Sequence, residues 1–228
     1  MSVSRSVRLC RLLSVSTRRA YSDSTDRVVI KPIARAPKIY TKTGDKGTSA
    51  LYTGERRPKD DKVFEALGST DELSSHIGLA IAFAEEQKHP YIGQLQRVQC
   101  ILQDIGSCIA TPRSTARDSH LIKTGFSSRH TGELEVWIDE YTAQLPPLEN
   151  FILPGGGKTA SQIHICRAVC RKAERCVTPL VSSDECEPET QKYLNRLSDF
   201  LFTIARFTAM LEGNSENIYT RPENRGKT

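Results

Sequence analysis

The sequence predicts an all-α protein, a five-helix bundle with a short extended N-terminal segment. Three observations lead to this prediction. Apolar residues recur every three or four positions in five separate stretches, prolines and glycines stand between these stretches, and a run rich in Thr, Gly and Tyr is confined to residues 37–54. The chain has 228 residues, of which 38% are hydrophobic, and this is enough to bury one core.

The first half of the predicted bundle contains two helices. Residues 37–54 are expected to form an extended piece, a turn and a second extended piece. Two long apolar stripes follow at residues 63–84 and 91–109. Pro90 separates them, because proline lacks the amide hydrogen that a continuous helix requires. The polar residues 111–131 are then expected to form a mobile loop.

Three more apolar stripes complete the bundle, and residues that end helices stand beside them. Pro146 and Pro147 are expected to stop the third helix, and Gly213 the fifth. A Gly-rich loop at residues 150–158 precedes the fourth helix, and the last dozen residues are expected to fray. Five stripes with this spacing indicate helices packed nearly parallel. The last three stripes occupy residues 134–145, 163–177 and 194–211.

Basic charge is concentrated at the N-terminus. Residues 1–35 hold eight Lys or Arg and two Asp or Glu, whereas the rest holds 24 basic and 25 acidic side chains. This Arg-rich, Ser-rich and acid-poor start is typical of a mitochondrial transit peptide, although a disordered basic tail would have the same composition. We predict a transit peptide and flexible lead at 1–35, a helical domain at 36–219 and a disordered tail at 220–228, with the mature protein in the mitochondrial matrix.

Composition also argues against several classes of protein. The near-neutral body argues against a nucleic-acid partner, since a backbone-binding protein keeps its excess charge in the folded domain. No apolar run approaches the roughly 20 residues that span a bilayer, so membrane insertion is not expected. The seven cysteines include no C-x-x-C pair and the five histidines no H-x-x-x-H pair, so we predict no metal site formed by protein ligands.

A phosphate site is one interpretation of the segment from Thr41 to Ser49. Its glycines permit close backbone approach, successive amides can form an anion-binding concavity, and lysines and hydroxyls add donors. A β-turn with solvated charges explains the same composition.

The fourth predicted helix carries a polar stripe beside its apolar one. Arg167, Arg171 and Glu174 are spaced by four and three residues, and Arg175 lies one turn beyond Arg171. Arginines in this arrangement can bind a triphosphate, with Glu174 orienting one of them. A solvated helix face with pairs three residues apart is the alternative.

Two further helices carry unusual polar residues. Asn195, Ser198 and Asp199 interrupt the fifth stripe, and Asp71 lies on the first helix next to core positions. A carboxylate in such a place needs a partner, and an arginine from a neighbouring helix or subunit would serve. Ordinary helix-surface polarity is an equally simple explanation.

Four motifs occur in order along the chain, and together they resemble one family. They are KIYTKTGDKGTS at 38–49, GSTDEL at 68–73, FILPGGGK with CRAVCRKAER at 151–175, and YLNRLSDFLF at 193–202. In this combination the sequence resembles the PduO-type ATP:cob(I)alamin adenosyltransferases, and most closely their mitochondrial members. The resemblance covers residues 37–219.

The resemblance implies a homotrimer of five-helix bundles with active sites between subunits. It implies that Asp71 pairs with Arg167 across the interface and that Phe151 crowds the lower face of the corrin. Asp71, Arg167, Phe151 and Arg171 would be the catalytic set, and Phe151, Asp71, Arg167, Ser198 and Asp199 the cobalamin-binding set. The ATP-binding residues would be Thr41, Lys42, Thr43, Gly44, Ser49, Ala50, Lys59, Arg171, Lys172, Ala173, Glu174, Arg175 and Asn195.

The implied reaction transfers the 5′-deoxyadenosyl group of ATP to cob(I)alamin and releases triphosphate. ATP would enter with Mg²⁺ held mainly by its phosphates, and cobalamin would be a substrate. The implied partners are methylmalonyl-CoA mutase, which takes the product, and a flavoprotein reductase. The alternative is a non-catalytic carrier that delivers cobalamin to the mutase, although a pure carrier would not need the cationic cluster of Lys59, Arg171 and Arg175.

Overall fold

A computed structural model describes residues 38–220 of the chain. The chain divides into an N-terminal unit that ends at Thr41 and a larger unit that begins with Lys42. Of the first unit, residues 38–41 are described; they form no helix or strand, and the Lys38 ammonium lies 5.3 Å from the Tyr40 ring centroid. The predicted transit peptide at 1–35, and all but Thr220 of the predicted tail, lie outside the described residues and stay predictions.

The five predicted helices are confirmed in the larger unit. A sixth, short helix and a two-stranded sheet accompany them. The elements are β1 (Thr48–Ala50), β2 (Arg56–Pro58), α1 (Lys62–Gln87), α2 (Ile92–Ile109), α3 (Asp118–Thr124), α4 (Arg129–Thr142), α5 (Lys158–Ser182) and α6 (Pro188–Leu211).

Local sequence explains where these helices begin and end. The Asp61 carboxylate accepts a hydrogen bond from the Val63 amide at 2.9 Å and so caps the start of α1. Lys88 caps the end of α1, because its left-handed backbone lets its amide donate to carbonyls of the last turn. Helix α6 starts on Pro188 and stops before Gly213 (φ +69°), as predicted.

The five long helices pack side by side around one core, in the order α2, α1, α5, α6, α4. Helix α1 packs against α2 and α5, and α6 packs against α5 and α4. A hydrogen bond of 2.6 Å from the Tyr141 hydroxyl to the Gln94 side chain then joins α4 to α2. The predicted apolar stripes face the interior, where Leu73, Ile105 and Ile163 have no exposed surface. Burial of these stripes is the main source of stability.

Three local predictions were wrong. The predicted loop at 111–131 contains α3, and none of the residues of this helix is buried, so no apolar stripe marks it. The second strand lies at 56–58, beyond the run 37–54, and Ser49 pairs with Arg57 in the antiparallel sheet. The residues predicted to fray include 217–219, which pair with the chain at 151–153 through the bridge between Ile152 and Ile218.

Within residues 38–220, no helix combines the length and the apolar character that crossing a bilayer requires.

Candidate functional site

The loop and strand at residues 42–50, called the cradle loop here, have a folded backbone. Lys42 and Gly47 have positive φ angles of 58° and 76°, and the Gly47 amide donates to the Gly44 carbonyl at 3.2 Å. Arg56 braces the loop from β2, because one of its Nη atoms donates to the Thr43 carbonyl at 2.7 Å and to the Thr48 hydroxyl at 2.8 Å. Arg56 was not predicted from the sequence, since a lone arginine in a polar run carries no periodic signal.

Lys59 lies directly over this loop. A Cβ placed on Gly44 would meet the Lys59 Nζ at 3.0 Å, so glycine leaves the space that the ammonium group uses. The Lys59 amide also donates to the Gly47 carbonyl at 2.9 Å. The structure therefore brings two predicted ATP residues, Gly44 and Lys59, into one place. Ser49 and Ala50 belong to β1, which continues the loop, whereas Thr41 belongs to the N-terminal unit and its role stays a prediction.

The predicted polar stripe on α5 has three different environments. Arg171 and Arg175 are exposed. Lys172 instead forms an ion pair with Glu72 of α1 at 2.7 Å, and this contact raises the pKa of the Lys172 ammonium and lowers that of the Glu72 carboxyl. Ala173 is fully buried in the core, so its side chain offers no surface to a nucleotide in the single chain.

Glu174 and Asn195 meet at the edge of α5 and α6. The Asn195 amide donates to the Glu174 carboxylate at 2.9 Å. Both residues line a cleft of about 470 Å³, the Asn195 cleft, to which α4 contributes Glu135. Two predicted cobalamin residues lie nearby on α6: Ser198 is buried and donates to the Asn195 carbonyl at 2.8 Å, and Asp199 is exposed and pairs with Arg196 at 3.2 Å.

A larger cleft of about 570 Å³ lies where the 148–154 loop meets α5 and α6; it is called the Phe151 cleft. Phe151 is 85% exposed at its rim. The guanidinium of Arg167 lies 5.9 Å from the ring centroid of Phe202, and its Nε is buried without a hydrogen-bond partner among the described residues. Burial, with a smaller contribution from Arg171, lowers the pKa of Arg167. Phe151 and Arg167, predicted together, therefore share one cleft.

His164 lines the same cleft and was missed from the sequence. It is buried, and its Nδ1 meets no partner within residues 38–220. Burial, together with the nearby positive charge of Arg167, lowers the pKa of His164 to about 4, so the imidazole is neutral at pH 7. Its position one turn before Arg167 was the available signal, but a lone histidine on an apolar face is usually a core residue.

Asp71 is not part of this arrangement in the single chain. It is exposed on α1 and lines another cleft, of about 340 Å³, together with Tyr52 and Gln103; this is the Asp71 cleft. Because Asp71 and Arg167 line different clefts of one chain, the structure records no contact between them. Their predicted pairing is one between subunits, and it stays a prediction.

The described residues also contain no cluster of three or more His, Cys, Asp or Glu side chains that could hold a metal ion. The side chains that line the three clefts include cations, carboxylates, amides and aromatic rings. Lysine and arginine beside folded backbone suit phosphate groups, whereas an open cleft with aromatic walls suits a large, flat, mostly apolar ligand.

Comparisons with known proteins show which family the chain resembles. A profile of the cobalamin adenosyltransferase family matches residues 39–208. Corrinoid adenosyltransferase MMAB from Mus musculus is 60% identical over 188 residues, which cover 82% of this chain and 79% of the mouse protein. A corrinoid adenosyltransferase from Bacillus subtilis is 41% identical over 186 residues, which cover 81% of this chain and 93% of the bacterial one.

Solved structures show the same likeness. A variant of a PduO-type ATP:corrinoid adenosyltransferase from Lactobacillus reuteri, complexed with cobalamin and ATP, matches at a TM-score of 0.75 and 33% identity. The match covers 81% of this chain and 100% of the bacterial one. A second variant, complexed with ATP, matches at a TM-score of 0.73 and 33% identity, over 80% of this chain and 100% of that one.

Proposed function

The chain belongs to the cobalamin adenosyltransferase family, and from this premise we propose how its residues carry out the reaction. The protein is a corrinoid adenosyltransferase, which transfers the 5′-deoxyadenosyl group of ATP to cob(I)alamin and releases triphosphate. The observation that carries the proposal is the Phe151 cleft, which is lined both by an exposed aromatic ring and by Arg167, whose Nε is buried without a partner among the described residues. Relatives of this chain are complexed with cobalamin and ATP.

The reaction requires positioning more than proton transfer. The electron pair of cob(I)alamin attacks C5′ of ATP, the new cobalt–carbon bond forms, and the C5′–oxygen bond breaks with its electrons leaving on the triphosphate. No proton has to move in this step, so the protein needs no general base. Holding the two substrates in line removes much of the entropic barrier, which is worth up to roughly 7–11 kcal/mol in well-oriented reactions.

Stabilisation of the leaving triphosphate is assigned to Arg171, Arg175 and Lys59. Arg171 and Arg175 are exposed on α5, and the ion pairs on this surface of residues 38–220 use Lys172 and Arg196 instead. Cationic donors aimed at charge that grows in the transition state are the usual means of such stabilisation. Glu174 and Asn195, already joined by a hydrogen bond, orient the nucleotide beside them. Mg²⁺ carried by the phosphates neutralises further charge when it is bound.

The Phe151 cleft is assigned to the corrin ring. Phe151, Phe202 and Tyr219 give it aromatic walls, and the neutral His164 adds no charge. An apolar wall below the corrin excludes a lower axial ligand from the cobalt. Because loss of that ligand destabilises the oxidised metal, reduction of cob(II)alamin to the nucleophilic cob(I) form becomes easier. Phe151 therefore acts on the reduction step and Arg171 on the transfer step.

A homotrimer would complete the site. In one chain, the cradle loop, the Asn195 cleft and the Phe151 cleft hold different parts of the predicted set. Asp71 carries a negative charge on α1, and Arg167 has a buried donor without a partner among the described residues. A second copy that placed its Asp71 at Arg167 would satisfy that donor and bring a cradle loop to the next copy's α5.

The mammalian relatives and the basic N-terminus support a mitochondrial location. The relatives from mouse, cattle and human are each 60% identical to this chain. With a transit peptide at residues 1–35, the enzyme would work in the mitochondrial matrix. Its substrate is then supplied by a flavoprotein reductase, and its product is passed to methylmalonyl-CoA mutase.

An anaerobic assay tests the function directly. Residues 36–228 are mixed with chemically reduced cobalamin, ATP and Mg²⁺, and the cobalamin spectrum is followed together with triphosphate release. Adenosylcobalamin and triphosphate are expected in equal amounts. Tight cobalamin binding without product would favour the non-catalytic carrier, and neither binding nor product would overturn the assignment altogether.

A further inference from the structure

Phe151 lies at the rim of its cleft with little packing of its own. Its ring is 85% exposed, and it belongs to an irregular stretch between α4 and α5. An exposed aromatic ring on a loop has no fixed position unless its backbone is fixed. What holds the backbone at Phe151 therefore determines where the ring stands.

The C-terminal segment, residues 214–219, supplies the bonds that fix it. The Tyr219 amide donates to the Phe151 carbonyl at 2.7 Å, and the Leu153 amide donates to the Asn217 carbonyl, also at 2.7 Å. These two bonds flank the bridge between Ile152 and Ile218. The backbone on both sides of Ile152 is thus paired with a segment that follows the last helix.

Arg206 anchors both strands of this pairing. This arginine of α6 is 6% exposed, and its Nε donates to one Glu216 carboxylate oxygen at 2.6 Å. One of its Nη atoms donates to the other Glu216 oxygen at 3.3 Å and to the Pro146 carbonyl at 3.0 Å. A single buried guanidinium therefore contacts the C-terminal segment and the start of the loop that carries Phe151. Such a forked pair is geometrically specific.

We propose that Arg206 is a positioning residue for the cobalamin step, which it serves by holding Glu216 and the C-terminal segment so that residues 217–219 fix Phe151 at the rim of its cleft. The inference rests on the proposed function, because it takes Phe151 to face the corrin. Arg206 touches neither substrate in this account. Its effect passes through the backbone bonds at Phe151, and the ATP side on α5 is independent of it.

A pair of variants at Tyr219 isolates the backbone bond. Tyr219→Ala and Tyr219→Pro both remove the ring, but proline alone also removes the amide that donates to the Phe151 carbonyl. We expect turnover from cob(II)alamin to be roughly ten- to a hundredfold lower in Tyr219→Pro than in Tyr219→Ala, since small misplacements cost that much. The Kd for ATP should be equal in the two variants.

A second variant tests Arg206 through its partner. Glu216→Gln keeps the shape of the side chain but removes the charge that faces Arg206, and it should raise the KM for cobalamin without changing the Kd for ATP. Bound cob(II)alamin should also show a larger fraction with its lower axial ligand in the electron paramagnetic resonance spectrum. A purely structural role would instead lower the melting temperature and weaken the binding of ATP and of cobalamin together.

Each outcome is decisive if the wild type is measured in the same assay. Equal turnover of Tyr219→Pro and Tyr219→Ala beside an active wild type would overturn the positioning role. Loss of ATP affinity in parallel with cobalamin turnover in Glu216→Gln would also overturn it. A wild type that binds cobalamin but forms no adenosylcobalamin would show that the proposed function had failed instead.

Discussion

At the scale of single residues, the cations of α5 differ in what surrounds them. Lys172 is paired with Glu72, Arg167 is partly buried at the Phe151 cleft, and Arg171 and Arg175 are exposed. Only an exposed cation can meet a diffusing triphosphate without first breaking a contact. The difference in exposure between neighbouring turns of α5 thus assigns Arg171 and Arg175 to ATP and Arg167 to cobalamin.

Arg171→Ala should lower turnover by about a hundredfold, because it removes a charged donor from the leaving group. The fold should be retained, since the side chain is exposed. Steady-state rates and melting temperature measure the two effects. Arg129→Ala, at an exposed arginine of α4, is the matched control and should behave as the wild type does. A normal rate for Arg171→Ala would rule out its assigned role.

Phe151→Ala should leave the affinity for ATP unchanged and impair the cobalamin step. The ring is exposed, so its removal costs little stability, but the wall against a lower axial ligand is lost. Turnover that starts from cob(II)alamin should fall much further than turnover from chemically reduced cob(I)alamin. If the two fall equally, the lower-face role of Phe151 is wrong.

His164 makes the stability of the protein depend on pH. Its pKa is about 4 in the folded chain, against an ordinary value near 6.5, and the charged groups that face it are Arg167 and Glu216. Between these two pH values the unfolded chain binds the extra proton, so the free energy of unfolding falls as the pH falls from 6.5 to 4.

Replacing His164 with asparagine removes this dependence. The drop in melting temperature between pH 7 and pH 4.5 should be smaller in His164→Asn than in the wild type, by roughly 5–10 °C. The lowered pKa costs the wild type about 2.5 kcal/mol over this pH range, and about 1 kcal/mol shifts the melting temperature of a domain of 150–250 residues by roughly 2–4 °C. Thermal unfolding at the two pH values measures it. An identical drop in both proteins would mean that folding does not lower the pKa of His164.

At the scale of elements, the sequence predicts the long helices well because burial leaves a periodic signature. The stripe of α6 places Leu194, Leu197 and Leu201 in the core, as its spacing requires. Helix α3 escaped prediction because its seven residues bury nothing. The pairing of residues 217–219 with the Phe151 loop also escaped, since it is a contact between segments more than 60 positions apart.

The candidate site was predictable only in part, for a similar reason. The motifs place Arg167, Arg171 and Glu174 on one helix, and their spacing of four and three residues puts them on one face of it. The positions of Arg56 and His164 depend on what packs against them from elsewhere in the chain. Only the structure shows that the Nδ1 of His164 lacks a partner among the described residues and that Arg56 donates to three acceptors.

Gly156 lies just before α5, in a loop that passes close to α6. Replacing it tests this close approach. Its φ is +88°, and a Cβ there would lie 2.6 Å from the Cβ of Ala209. Gly156→Ala should therefore destabilise the fold by about 2 kcal/mol or more, through backbone strain and a clash with α6.

A helical glycine provides the matched control. Gly132 lies in α4, and no atom of residues 38–220 comes within 4 Å of the Cβ that alanine would add there. Gly132→Ala should therefore stabilise the protein by about 0.5–1 kcal/mol. Urea unfolding of both variants gives the two free energies. A Gly156→Ala protein as stable as the wild type would contradict the close approach of this loop to α6.

At the scale of the whole molecule, the parts of the predicted site lie at three separate places on the described surface of one chain. Gly44 and Lys59 meet at the cradle loop, Glu174 and Asn195 meet between α5 and α6, and Phe151 and Arg167 share a third location. We therefore expect that a cradle loop of one copy and α5 of another form each ATP site. In a cyclic trimer such an interface is heterologous, so each site draws on two chains.

The measurement that tests this claim most directly is complementation between two inactive chains. Lys59→Ala and Arg171→Ala chains, carrying different affinity tags, are coexpressed, and oligomers containing both are isolated by tandem purification. Every mixed trimer then has one site with an intact cradle loop from one chain and an intact α5 from another. We predict about one third of the wild-type rate of adenosylcobalamin formation, because one site in three is restored. A rate no higher than that of either variant alone would contradict the account, since it would place Lys59 and Arg171 of the same chain in each site.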